Sequence, residues 1–187
     1  MQARLMSSSG FLFDACSLTV EDVDILAIAN SLSKQCRFFG NCSEFYSVAQ
    51  HCVLLSNMVE KKYQKWALLH DAAEAYLSDL AAPIKKLLPQ YVELEENALK
   101  VIAKKFDLEY PIPEPVLEAD LLLRKAEMIN LFDSYYDWES VIDFTDARGI
   151  VVSPYPSCDE AKFLFINRFK DLFGNNLTPY KTTKKRI

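Results

Sequence analysis

Apolar positions recur at steps of three and four along most of the chain, and no long stretch alternates with period two. Residues 20–34, VEDVDILAIANSLSK, read as a first helix, with Thr19 as N-cap and acids in the first turn. Residues 35–46, QCRFFGNCSEFY, read as a loop punctuated by Gly40 and Asn41. A second helix starts near Ser47, where Ser47 and Gln50 fit a capping box, and its stripe is Val48, Cys52, Leu55, Met58 and Val59. His51 lies at the edge of that stripe. A third helix covers 63–77, with Trp66, Leu69, Ala73 and Leu77 on one face and His70 and Glu74 as i,i+4 partners beside it. Pro83 interrupts and leads into a short helical turn. A fourth helix runs over 90–106, and YPIPEP makes a proline-stiffened connection. Pro115 starts a fifth helix that reaches about residue 133. Residues 134–156 read as irregular, with a short extended piece in GIVVSPY. The last helix runs from Ser157, capped with Glu160, to Phe173 and stops at Gly174. The fold class expected is all-α, a compact bundle of six or seven helices. One domain is expected over 1–174, followed by a polar, flexible tail over 175–187.

Composition narrows what such a bundle does. The chain has 187 residues, half of them apolar and a quarter charged, a length that buries a core without staples. Net charge is −5 and the pI is near 5.1. No domain-wide basic excess points to nucleic acid, and the terminal KTTKKRI is only a weak basic tail. Five cysteines, at 16, 36, 42, 52 and 158, form no C-x-x-C pair and read as reduced thiols. Asp14 interrupts the only short apolar piece near the N-terminus, and no run approaches the ~20 apolar residues of a membrane span. The expectation is a soluble, cytoplasmic protein with neither a membrane nor a nucleic-acid partner.

Chemistry concentrates in WALLHDAAEAYLSDLAAPIKK, residues 66–86. The chain has two histidines, His51 and His70, both at or beside apolar stripes where an unpaired imidazole is costly. Either alone reads as a core histidine satisfied by a hydrogen bond. Their neighbourhood alters that reading. Asp71 adjoins His70, and Asp120 lies among Val116, Leu117 and Leu123 on its helix, so it should be partly buried. Buried carboxylates need a partner or a metal, and two imidazoles with two carboxylates make a mixed N/O set for a divalent ion.

The order His51, then His70-Asp71, then Asp120 resembles the H…HD…D signature of the HD-domain metal-dependent phosphohydrolases. LLHDAAEAYLSDLAAPIKKLLP and CRFFGNCSEFYSVAQHCVLLS together resemble the small nucleotidase branch of that family. The branch holds YfbR-like 5′-deoxynucleotidases and DatZ-like dATP triphosphohydrolases. The resemblance covers about residues 20–133. It implies an HD-domain bundle with one metal ion held by His51, His70, Asp71 and Asp120. Relatives with two metals use further histidines, and this chain has none. Co²⁺, Mn²⁺, Zn²⁺, Fe²⁺, Ni²⁺ and Mg²⁺ are all admissible, with the imidazoles counting against Mg²⁺.

The resemblance also assigns roles around the ion. Glu74 takes part in proton transfer, a role open to a carboxylate beside a metal site. Asp79 delivers the proton or holds the sugar, or else caps the turn at Pro83. Lys85 faces the phosphates, while Lys86 points elsewhere. Arg37 contacts phosphate or sugar. One of Phe38 and Phe39 stacks on the base, or both belong to the core. Gly40 lets backbone approach the ligand. Where relatives continue with a Gly-His sequence this chain reads GNCSEF, a departure at the base-contacting loop. Arg124 and Glu127 either orient the ligand Asp120 from behind or form a surface pair. FDSYYDWESVIDF is an oligomer contact or a cover for the core, and a homo-oligomer is expected.

The function implied is removal of phosphate from a 2′-deoxynucleotide, first of all a triphosphate such as dATP. A 5′-deoxynucleoside monophosphatase is the alternative. Two further readings are a nucleotide-binding module without turnover and a metal that only stabilises the bundle.

Overall fold

The computed structural model describes residues 2–134, 136–155 and 157–175. Its elements, in chain order, are strands β1 (Arg4–Met6) and β2 (Leu12–Asp14), then helices α1 (Ile25–Leu32), α2 (Val48–Met58), α3 (Gln64–Leu69), α4 (Glu74–Leu77), α5 (Ala82–Lys85), α6 (Pro89–Lys105), α7 (Glu114–Leu131), α8 (Tyr136–Glu139) and α9 (Cys158–Phe173). Helix α2 sits at the centre, with every residue from Val48 to Val53 buried, the polar Gln50 and His51 included. Helices α1, α3, α7 and α9 pack around it. Its start is fixed by the expected capping box: the Ser47 hydroxyl accepts from the Gln50 N–H, and Gln50 Oε1 accepts from the Ser47 N–H at 2.8 Å.

Two apolar cores flank α2. One joins Ile28 and Leu32 of α1, Val48 and Cys52 of α2, Leu68 and Leu69 of α3, Ile102 of α6 and Phe165 of α9. The other joins Leu55 of α2, Trp66 of α3 and Val116, Leu123 and Leu131 of α7. Burying one such leucine is worth about 2 kcal/mol. Helix α3 contributes to both cores, so its C-terminal end is held rigidly beside α2. The all-α bundle expected from the sequence is the fold observed. No helix among the described residues is long and apolar enough to cross a membrane.

Several elements depart from expectation. The first helix begins at Ile25, not at residue 20, and Asp24 caps it by accepting from the Leu26 N–H at 3.0 Å. Thr19 is no cap: Asp22 Oδ2 accepts from its N–H and its hydroxyl at 3.0 and 2.7 Å, which closes a turn where a first helical turn was expected. The third helix is divided. The Ala67 carbonyl accepts from the His70 side chain, and the backbone from Leu69 tightens into i→i+3 bonds that run on into the start of α4. The 35–46 loop contains a short 3₁₀ turn at Arg37–Gly40. GIVVSPY carries no strand, whereas strands β1 and β2 form a hairpin at the N-terminal end. Phe13 of that hairpin is buried edge-on against Tyr76 at 5.2 Å. Helix α9 starts and stops as expected, with Ser157 accepting from the Glu160 N–H and Gly174 at φ 82°. The expected tail lies, apart from Asn175, outside the described residues.

Candidate metal centre

The two histidines meet where α2 packs on the end of α3. His51 is fully buried one turn into α2, and His70 closes α3. Each is fixed through Nδ1. His51 Nδ1 donates to Glu127 Oε1 at 2.6 Å, and His70 Nδ1 donates to the Ala67 carbonyl at 2.9 Å. An ionised carboxylate and a carbonyl only accept, so the Nδ1 protons are assigned by their partners. Both Nε2 atoms are thereby turned to one point, 3.3 Å apart. Asp120 Oδ1 stands 3.0 Å from His51 Nε2 and 4.0 Å from His70 Nε2. Asp71 Oδ2 stands 3.1 Å from His70 Nε2 and 3.8 Å from His51 Nε2. The four residues expected as ligands are thus brought together.

The donor set fits one divalent ion. Bonds of about 2.0–2.2 Å place neighbouring ligands of a single ion about 3.0–3.5 Å apart; the His51–His70, His51–Asp120 and His70–Asp71 separations fall in that range, while Asp71 and Asp120 stand 3.8 and 4.0 Å from the opposite histidines. The electrostatics agree. Burial presses His51 toward its neutral form, as does Arg37, yet Glu127 and Asp120 hold its pKa above that of a free histidine. Burial presses His70 the same way, and Asp71 outweighs it. Burial would raise both aspartates, but His70 holds Asp71 far below the usual range and His51 holds Asp120 down to about 2. Positive charge is therefore favoured where the four groups converge. The Cys52 thiol, pushed up to about 11 by burial, adds a sulfur beside His70 and Asp71.

Behind the histidines sits Glu127, fully buried on α7. Arg37 Nε and Nη2 meet its Oε2 at 3.0 and 2.9 Å, and the Tyr46 hydroxyl donates to its Oε1 at 2.9 Å. Burial would raise this acid, but Arg37 and His51 hold it below the ordinary carboxylate range. Neither sequence reading that paired Glu127 with Arg124 stands. Two helical turns beyond Asp120, Glu127 is turned inward to the same side, so its partners are Arg37, His51 and Tyr46. Arg124 lines the cavity instead.

Glu74 opens α4 with its carboxyl buried. Its Oε1 lies 3.8 Å from Lys85 Nζ, and its Oε2 meets no partner among the described residues. Burial, then the charges of Asp71 and Asp79, hold Glu74 well above the usual carboxylate range. Asp79 is raised as well, chiefly by burial. The Asp79 N–H donates to Gln35 Oε1 at 2.8 Å, and Gln35 Nε2 donates to the Glu74 carbonyl at 3.0 Å, so one amide ties the two acids' backbones together. Asp79 does not cap α5, which starts after Ala81 without a side-chain cap. Lys85 reaches the cavity but is held by Glu95 Oε1 at 2.5 Å. Lys86 lines the same cavity rather than pointing elsewhere, because α5 is a single turn and both lysines lie at its end.

The aspartates face a cavity of about 750 Å³. Arg37, Lys85, Lys86, Arg124 and Lys125 supply cations around it, while Phe38, Phe132, Met128, Trp138 and Ile142 give it an apolar wall. Phe38, Phe39 and Gly40 all hold positive φ, at 52°, 55° and 74°. For the two phenylalanines that costs about 1–2 kcal/mol each. The turn is held by Asn41, whose N–H and Nδ2 both donate to the Phe38 carbonyl at 3.0 Å, and by Phe38 packing edge-on against Phe132 at 5.3 Å. Both phenylalanines line the cavity and Phe39 is 60% exposed, so the core alternative falls. Gly40 does not line it. An added Cβ there would meet only Cys36, at 3.7 Å, so glycine is required by φ and not by a ligand.

The chain is 38% identical over 170 residues to YfdR of Escherichia coli (strain K12), covering 90% of this chain and 94% of that protein. It belongs to the YfdR family. A second relative, RCAP_rcc00048 of Rhodobacter capsulatus, is 31% identical over 151 residues, 75% of this chain and 74% of its own length. Both are named as uncharacterized proteins, so YfdR kinship brings no activity with it. No protein-family model matches the chain.

In this YfdR-family chain the sequence reading missed Tyr46, Gln35 and Cys52 at the site. A tyrosine beside an apolar run reads as core, which Tyr46 also is. Gln35 acts through loop contacts that have no periodicity. Cys52 directly follows His51 and carries the only readable signal, adjacency to a ligand. The aromatic cluster after Phe132 was expected at an oligomer contact or over the core, yet Phe132, Trp138 and Ile142 line the cavity.

Proposed function

We propose that the chain is a metal-dependent phosphohydrolase of the HD type that removes phosphate from 2′-deoxynucleotides, with a deoxynucleoside triphosphate such as dATP as first candidate. The observation that carries this reading is the pair of Nε2 atoms, 3.3 Å apart, set between Asp71 and Asp120 beside a cavity lined by both cations and carboxylates. His51, His70, Asp71 and Asp120 would hold one divalent ion, which when bound polarises a phosphoryl oxygen and lowers the pKa of water. Transition-series ions suit this donor set better than Mg²⁺.

The chain's own groups supply the rest. Glu74 Oε2, buried and without a partner, accepts the proton of an attacking water. Burial, then the charges of Asp71 and Asp79, raise its pKa above that of a free carboxylate, which makes its ionised form a stronger base. Arg37 keeps Nε and Nη2 on Glu127, and its Nη1, 3.7 Å from Asp71 Oδ2, meets a phosphate oxygen beside that aspartate. Lys85 reaches the phosphates by leaving Glu95. The wall of Phe38, Phe132 and Trp138 receives the nucleoside. Lys86 and Arg124 line the cavity without a salt bridge among the described residues and add cations for a phosphate chain beyond the ligand site. A buried carboxyl beside the ligands, whose Oε2 has no hydrogen-bond partner among the described residues, argues against a module that binds without turnover. A deoxynucleotide substrate and five free thiols suit a cytoplasmic setting.

The test is a panel of dNTPs, dNDPs, dNMPs and NTPs incubated with each admissible ion, products being separated by chromatography. Phosphate or polyphosphate release from deoxynucleotides, abolished in His70→Ala and Glu74→Gln, is expected. Release confined to dNMPs moves the assignment to the monophosphatase. Binding without release from any of them sinks the enzymatic reading.

A further inference from the structure

The ligand set proposed above leaves one donor unused. Cys52 follows His51 on α2 and its side chain is fully buried. Its Sγ, a His70 ring nitrogen and an Asp71 oxygen all lie within 4.8 Å of one another. His51, His70 and Asp120 form a second such group, so the two sets meet at His70. The other cysteines stand in neither group: Cys16 and Cys36 are exposed, and Cys42 and Cys158 are half-buried.

Ligand chemistry separates the two sets. Imidazole and carboxylate donors suit borderline and harder ions such as Mn²⁺, whereas a thiolate selects soft ions such as Cd²⁺ and, less strongly, Zn²⁺. A structural or catalytic thiolate site is normally built from three or four such donors at bonding distance, and here three lie within a small adjustment of one another. We propose that the centre has a second way to hold an ion: thiophilic divalent ions are bound by Cys52, His70 and Asp71, and this arrangement excludes the His51–His70–Asp71–Asp120 set. Formation of the metal–sulfur bond releases the thiol proton to water, one per ion. Because His70 and Asp71 serve both sets, only one ion is held at a time. A soft ion drawn toward Cys52 leaves Asp120 and His51, and turnover stops. The enzyme is then inhibited by thiophilic metals through a defined residue. The inference rests on the metal reading above only for that loss of turnover; the binding mode stands separately.

Cd²⁺ and Mn²⁺ titrations of the metal-free full chain separate the two. In the wild type, Cd²⁺ should raise the ultraviolet thiolate-to-metal charge-transfer band with one ion per chain, and Cd²⁺ should displace bound Mn²⁺ followed by its paramagnetic resonance signal. Cys52→Ala should lose the band while keeping Mn²⁺ binding. Asp120→Asn should keep the band while losing Mn²⁺ binding. A wild-type titration without the band overturns the inference, and so does a band of full height in Cys52→Ala. Mn²⁺ binding retained in the wild type when the band is absent leaves the metal centre standing and removes only the Cys52 arrangement. Loss of Mn²⁺ binding in Cys52→Ala, with the protein folded by circular dichroism, also contradicts two separable sets.

Discussion

A carboxylate shut away from water must find its hydrogen bonds inside the protein. Glu127 finds Arg37 through two nitrogens, His51 Nδ1 and the Tyr46 hydroxyl. Glu127→Ala would strand a buried guanidinium, and should destabilise the fold by about 3–5 kcal/mol in urea unfolding. Glu127→Gln keeps the shape but weakens the hold on His51, and metal content after dialysis should reveal an affinity about 10- to 100-fold lower. Unchanged affinity in a folded Glu127→Gln would remove its orienting role. Glu74 makes the opposite case. Its folded pKa is raised above the unfolded value near 4.5, so its contribution to stability is complete below that pH and is lost as pH rises toward the folded value. The metal-free Glu74→Gln protein should therefore melt above wild type at about pH 7, with the gap closing toward about pH 4. An equal gap at both pH values would show that ionisation of Glu74 does not set the difference. The meeting of His51, His70, Asp71 and Asp120 was expected from their residue types and their order along the chain. Glu127 was not, because its meaning depends on Arg37, 90 positions away in the chain.

At the scale of elements, the sequence was most legible where local chemistry decides. The capping box at Ser47 and the Ser157–Gly174 limits of α9 are local, and they were read correctly. The third helix was misread because the interruption comes from a side chain: His70 takes the Ala67 carbonyl that a continuous helix would use, and no periodicity records that. The hairpin escaped because three-residue strands are too short to show alternation. The Arg37–Gly40 turn shows what the site asks of its elements. Phe39 holds φ 55° with its ring 60% exposed, so strain is accepted without burial. Phe39→Gly should relieve about 1 kcal/mol and raise the melting temperature. If Phe39 also meets the nucleoside, KM should rise while kcat stays close to wild type. A lower melting temperature would show that the phenylalanine packs for stability instead.

The whole molecule places the candidate centre between two apolar cores, with α2 shared by both and α3 and α7 delivering the other candidate ligands. An ion bound only by the folded chain stabilises all of it. At 100 times its Kd it should add about 2.7 kcal/mol, read as a rise in melting temperature that His70→Ala abolishes. The bundle itself was legible from apolar spacing. The cavity was not, since its wall draws on Phe38, Phe132 and Trp138 from segments whose meeting only the tertiary fold sets. One ion at one centre would serve one reaction. Its most direct test titrates metal-free protein with Mn²⁺ while following hydrolysis of dATP and counting bound ions. Turnover should be absent without metal, rise with occupancy and level off at one ion per chain. Full turnover in the chelated protein, or none at full occupancy with any deoxynucleotide, would contradict it.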